Sequence, residues 1–93
     1  MTPEQSRAAR GLLAWTQAEL ANHAQVSSAT VRGFENGKKA PQRASVAAMQ
    51  RAMENQAITF EERSGAVGVW LTVEEGQAPS LVLKQSVGNP LTA

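Results

Sequence analysis

Gln17 to Asn36 reads QAELANHAQVSSATVRGFEN, and the spacing of its apolar and capping residues decides the fold. Leu20, Ala21 and Ala24 recur at helical intervals, which predicts a short helix from Gln17 to about Ala24 with that face inward. Thr16 just before it, with Glu19 three positions on, forms a capping box that opens this helix. Ser27 caps the next helix, whose Val31 and Phe34 point inward and whose end is marked by Asn36-Gly37. A tight turn near Gln25 joins the two. Ala21 is small where the helices approach closely, and Leu20, Val26, Val31 and Phe34 clamp the pair together. This geometry leaves the helix after Ser27 projecting outward, able to enter a major groove about 12 Å wide.

Upstream, Thr2-Pro3-Glu4-Gln5 reads as a helix start, with Thr2 as cap, Pro3 at the first helical position and Gln5 at capping-box spacing. That helix runs to about Ala14, with Ala9, Leu12 and Leu13 on one side. Downstream, Lys38 to Gln42 is a basic loop closed by Pro41. A fourth helix spans roughly Arg43 to Asn55, with Val46, Met49, Ala52 and Met53 at helical spacing. After Ala57 the period changes to two. Ile58 to Glu61 alternates, Glu62 to Gly65 supplies a turn, and Val67, Val69, Leu71 and Val73 share a face. Trp70 falls on the opposite face, where it covers the helices or joins a dimer interface. Gly76 to Pro79 is a further break, before a short strand candidate at Leu81 to Lys84. The expected chain is mainly α: four helices over residues 1–57, then an antiparallel β-hairpin or three-stranded extension over 58–85. A loosely ordered tail covers 86–93.

At 93 residues the chain holds one core with at most a small appendage. No apolar run approaches the roughly 20 residues of a membrane span, and MTPEQSRAAR has no apolar signal region behind its charges, so a cytoplasmic protein is expected. Cysteine is absent and His23 is the single histidine, which rules out disulfides and the usual zinc ligand sets. No nucleophile elbow and no glycine-rich phosphate loop occurs, so neither catalysis nor a cofactor is expected. Charge is divided unevenly. Residues 1–57 carry seven Lys/Arg against four Glu, whereas 58–93 carry Arg63 and Lys84 against Glu61, Glu62, Glu74 and Glu75. The basic excess lies between Arg32 and Arg51, which suggests a polyanion-facing N-terminal part.

The run TQAELANHAQVSSATVRGFENGKKAP, residues 16–41, resembles the helix-turn-helix core of phage repressors, Cro proteins and XRE-type regulators. The likeness extends from about Arg7 to Met53. It implies a four-helix, lambda-repressor-like domain whose third helix reads double-stranded DNA. The positions that commonly read bases are held here by Ser28, Ala29, Arg32 and Gly33. Only Arg32 has the reach for bidentate guanine recognition, so DNA shape or another element is expected to share the readout. The resemblance places Gln17 against phosphate at an open helix N-terminus. It sets Ser27, Asn36, Lys38, Lys39 and Arg43 along the backbone as well. It also implies an ion pair between Arg10 and Glu35 across the first and third helices. At the turn, Gln25 stands where the family most often has Gly in a positive-φ conformation, tolerable at a cost of order 1 kcal/mol.

Together these readings describe a sequence-specific DNA-binding regulator, a repressor of a palindromic operator acting as a homodimer through residues 58–85. The alternative is an antitoxin or other protein-interaction module that grips a toxin or another protein with its C-terminal strands, with or without DNA binding.

Overall fold

In the computed structural model, which describes residues 1–37 and 42–73, the first three helices begin where a side chain stands in for a missing backbone acceptor. Helix α1 (Pro3–Leu13) opens on a complete capping box: Thr2 Oγ1 accepts from the Gln5 amide at 3.1 Å, and Gln5 Oε1 accepts from the Thr2 amide at 2.9 Å. Helix α2 (Gln17–Ala24) repeats the device, with Thr16 Oγ1 accepting from the Glu19 amide at 3.0 Å and Glu19 Oε1 from the Thr16 amide at 2.8 Å. Helix α3 (Ser28–Asn36) starts under Ser27, whose Oγ accepts from the Thr30 amide at 3.0 Å. Helix α4 (Arg43–Glu54) is the exception, with no side-chain cap from Gln42. The chain turns out of α2 and α3 through left-handed residues, Gln25 (φ 60°) and Gly37 (φ 68°), as the sequence led one to expect. Ala14 (φ 58°) and Ala57 (φ 72°) do the same with no sequence signal.

The core forms where the four apolar stripes meet. Ala9, Leu20, Val31, Met49 and Met53 are fully buried, and Ala21, Ala24, Ala52 and Ile58 nearly so. Val26 and Phe34 pack against this cluster from its edge. Leu12 departs from expectation: it is 47% exposed. The inward stripe of α1 is Gln5, Ser6, Ala9 and Leu13, and Leu12 lies instead on a side where it lines an open groove with Val67 and Val69.

Strands β1 (Ile58–Arg63) and β2 (Ala66–Leu71) form an antiparallel hairpin, with Ile58 opposite Leu71, Phe60 opposite Val69 and Glu61 opposite Gly68. β1 runs two residues beyond the expected Glu61. Gly65, at φ 78°, completes a two-residue turn with Ser64, so Glu62 and Arg63 can still pair. The inner face carries Ile58, Phe60, Val69 and Leu71 onto the helical core. Trp70, 60% exposed, lies on the outer face with Nε1 donating to Glu61 Oε1 at 3.2 Å, so it does not cover the helices. Lys38 and Lys39, the break at 76–79, the strand candidate at 81–84 and the tail from Ser86 lie outside the described residues.

A buried amide ties hairpin to helix. Gln5, 1% exposed, spends its Oε1 on the cap of α1 and donates through Nε2 to the carbonyls of Glu61 and Gly68, each at 3.0 Å. Those two carbonyls belong to opposed residues of β1 and β2, so one side chain holds both strands over the start of α1. Gln5→Ala removes these bonds together with the Oε1 half of the α1 cap; it is expected to lower the unfolding free energy by about 2–3 kcal/mol in urea titration. A loss under about 0.5 kcal/mol would mean that apolar packing alone holds the hairpin.

Candidate nucleic-acid interface

The orientation of α3 is set at its inner end by one carboxylate. Glu35 lies in the last turn of α3 with a side chain only 1% exposed. An ionised carboxylate without water needs donors on its lone pairs. Arg10 supplies two in a fork, Nε to Oε2 at 2.9 Å and Nη2 to Oε1 at 2.7 Å. Ser6 Oγ donates to Oε2, and Gln17 Nε2 donates to Oε1 at 3.1 Å. Arg7 Nη1 donates to the main-chain carbonyl of Glu35. The remaining Arg10 nitrogen, Nη1, donates to the Trp15 carbonyl at 3.1 Å, while the Trp15 amide donates to the Arg10 carbonyl at 2.9 Å. Residues from α1, α2 and the connector between them thus converge on α3.

Burial pushes the Glu35 carboxyl up, but the Arg10 guanidinium, Ser6 and Gln17 outweigh it and hold the group below its ordinary range. The hydrogen-bonded Glu35 carboxylate in turn raises Arg10 against the opposing effect of burial. The expected Arg10–Glu35 pair is therefore present, as part of a larger set of donors. Ser6 and Arg10 stand four residues apart on one face of α1. That spacing was the available signal for the set; nothing local pointed to Arg7 or to the Gln17 side chain.

On the opposite face of α3, Ser28, Ala29 and Arg32 are exposed and Gly33 is half-buried. Among the described residues Arg32 makes no ion pair. The acid three residues along, Glu35, is turned inward to Arg10. Ser27 stays at the surface, its hydroxyl also 2.8 Å from Thr30 Oγ1. Asn36 and Arg43 are exposed at the end of α3 and the start of α4. Gln17 is half-buried, with its amide on Glu35 rather than turned to solvent. The first-turn N–H groups of α2 remain the polar feature at that end, apart from the Glu19 amide taken by Thr16. His23 is exposed and stacks on Trp15 with centroids 4.2 Å apart and planes within 6°.

A family model described as helix-turn-helix matches residues 7–54, which takes in all of α2, α3 and α4 and most of α1. No curated protein matches the chain. Among the described residues, no helix is long and apolar enough to cross a membrane, and no group of three or more His, Asp or Glu could hold a metal ion.

Removing one partner of a buried ion pair costs about 3–5 kcal/mol, whereas replacing both restores part of the loss. Arg10→Met is expected to lower the melting temperature strongly, and Arg10→Met with Glu35→Leu to recover some of it; equal losses in both would place the stabilisation elsewhere. Because the folded-state Glu35 carboxyl lies below its unfolded value, its contribution is present above the ordinary carboxylate range and is lost as pH falls through the depressed one. The stability gap between wild type and Glu35→Gln should therefore be widest near neutral pH and narrow on acidification. A gap that widens in acid would reverse the sign.

Proposed function

The chain belongs to the XRE-type helix-turn-helix family of DNA-binding transcription regulators, and we propose that it is a cytoplasmic repressor that binds a palindromic operator as a homodimer. One observation carries this reading. The outward face of α3 presents Arg32, which makes no ion pair among the described residues, on a helix that Ser6, Arg7, Arg10 and Gln17 hold at its inner end. A guanidinium so placed offers the fork that matches O6 and N7 of guanine. Ser28, Ala29 and Gly33 beside it are short, so they bring the backbone of α3 close to the base edges and leave Arg32 free to swing. Gln17, Ser27, Asn36 and Arg43, with Lys38 and Lys39 beyond the described residues, follow the DNA backbone. Gln17 contributes through the open N–H groups at the start of α2, which attract phosphate while its side chain stays on Glu35.

The homodimer forms through residues 58–85, which places two reading helices on the two half-sites of the operator. With Lys38, Lys39 and Arg43 of each copy on phosphates, a dimer neutralises about six charges, and log K falls against log salt with a slope near −5, at about −0.9 per phosphate.

Binding to DNA from the chain's own upstream region, followed by fluorescence anisotropy across a salt series, tests the reading. Arg32→Ala is expected to lose preference at one position of each half-site, by about 1–3 kcal/mol, while keeping its affinity for scrambled DNA. A uniform loss on all sequences, with the salt slope reduced by about one per subunit, would make Arg32 a phosphate contact instead. Unchanged affinity for both DNAs would remove α3 as the reading element.

A further inference from the structure

One side of β2 has no strand beside it among the described residues, and no backbone hydrogen bond reaches it there from another element. Its six residues, AVGVWL, carry no charge and no proline. Strand edges that stay unpaired are usually blunted by such residues, so this one is open to a further strand. The other strand is protected in that way: β1 carries Glu61, Glu62 and Arg63. Beside the open edge, Ala8, Gly11 and Leu12 of α1 face Val67 and Val69 across a groove of about 550 Å³. Leu12 and Val67, on its two walls, are 47% and 48% exposed.

We propose that the open edge of β2 is the two-fold contact of the homodimer, pairing antiparallel with β2 of a second copy about Gly68. This rests on the dimeric reading above and names its surface. The strand is self-complementary about that residue. A two-fold axis there sets Gly68 opposite itself, Val67 opposite Val69, and Ala66 opposite Trp70. On the inner face the valines of both copies form one apolar row. On the outer face each indole, 60% exposed in the single chain, lies over the small side chain of Ala66. A two-fold axis through Trp70 would instead set the two indoles against each other. Pairing about Gly68 also keeps both α1 helices on the same side of a four-stranded sheet, so the groove beside each Leu12 is closed by the other copy. The result is an isologous, closed contact, the symmetry a palindrome requires.

The chain contains no cysteine, so Gly68→Cys introduces a single thiol at the axis. A Cβ at Gly68 meets only Trp70 Nε1, at 3.9 Å, an ordinary contact. Facing Cα atoms of antiparallel strands lie about 4.5–5.5 Å apart, within the roughly 4.4–6.8 Å that a disulfide spans. Under mild oxidation at tens of micromolar, full-length Gly68→Cys is expected to become mostly a disulfide-linked dimer. Thr59→Cys, exposed on the outer face of β1, should stay unlinked. Light scattering should find the wild type dimeric and Val67→Lys shifted toward monomer. A dimeric wild type, combined with a Gly68→Cys variant whose thiols do not link, overturns this surface and leaves the dimeric reading standing. A monomeric wild type overturns both. In that case, protection of the Val67 and Val69 amides from hydrogen exchange would assign the edge to the chain's own residues 81–84.

Discussion

A carboxylate shut away from water is stable only when surrounded by donors, and that requirement at Glu35 governs how the helices are arranged. Ser6 and Arg10 come from α1, Gln17 from α2, and the acid itself from α3. No two of these helices can shift relative to each other without stranding a charge or a donor. Apolar packing of Leu20, Val31 and Met49 is non-directional and would accept small rotations of α3. The forked contact from Arg10 accepts none, because it fixes both distance and plane. Specific positioning of the outward face therefore comes from the polar side of the interior, and cohesion from the apolar side.

Much of this was legible because it is local. Capping boxes at Thr2 and Thr16, the Ser27 cap, the glycine stop at Gly37 and the two-residue period after Ala57 are each written within a few positions. The left-handed turn at Gln25 was readable despite the missing glycine, through the family pattern around it. What could not be read depends on parts far apart in the chain. Gln5 announces itself as a cap, and nothing near it tells that its other end crosses to Glu61 and Gly68. Leu12 fits the helical period as well as Leu13 does; only the placement of the hairpin leaves it outside. At the candidate interface, the exposed face of α3 followed from the period. The diversion of the Gln17 amide to Glu35 needed three-dimensional placement.

The outward face of α3 has low relief: two small side chains, a glycine and one long cation. Such a face carries little chemical information by itself, so the scaffold's rigidity matters more than in a helix lined with long polar groups. A single flexible arginine discriminates only if its root is fixed. The donors behind Glu35 supply that fixity.

Gln5 joins events that are usually separate. Helix ends fray and two-stranded hairpins peel, each with its own small opening free energy. Here the side chain that closes the first turn of α1 is also the one that bridges the two strands. Unwinding that turn withdraws both side-chain bonds from the hairpin, and lifting the hairpin leaves the buried amide that closes the turn without acceptors. The N-terminal turn and residues 58–71 therefore open as one cooperative unit, although more than fifty positions of sequence separate them.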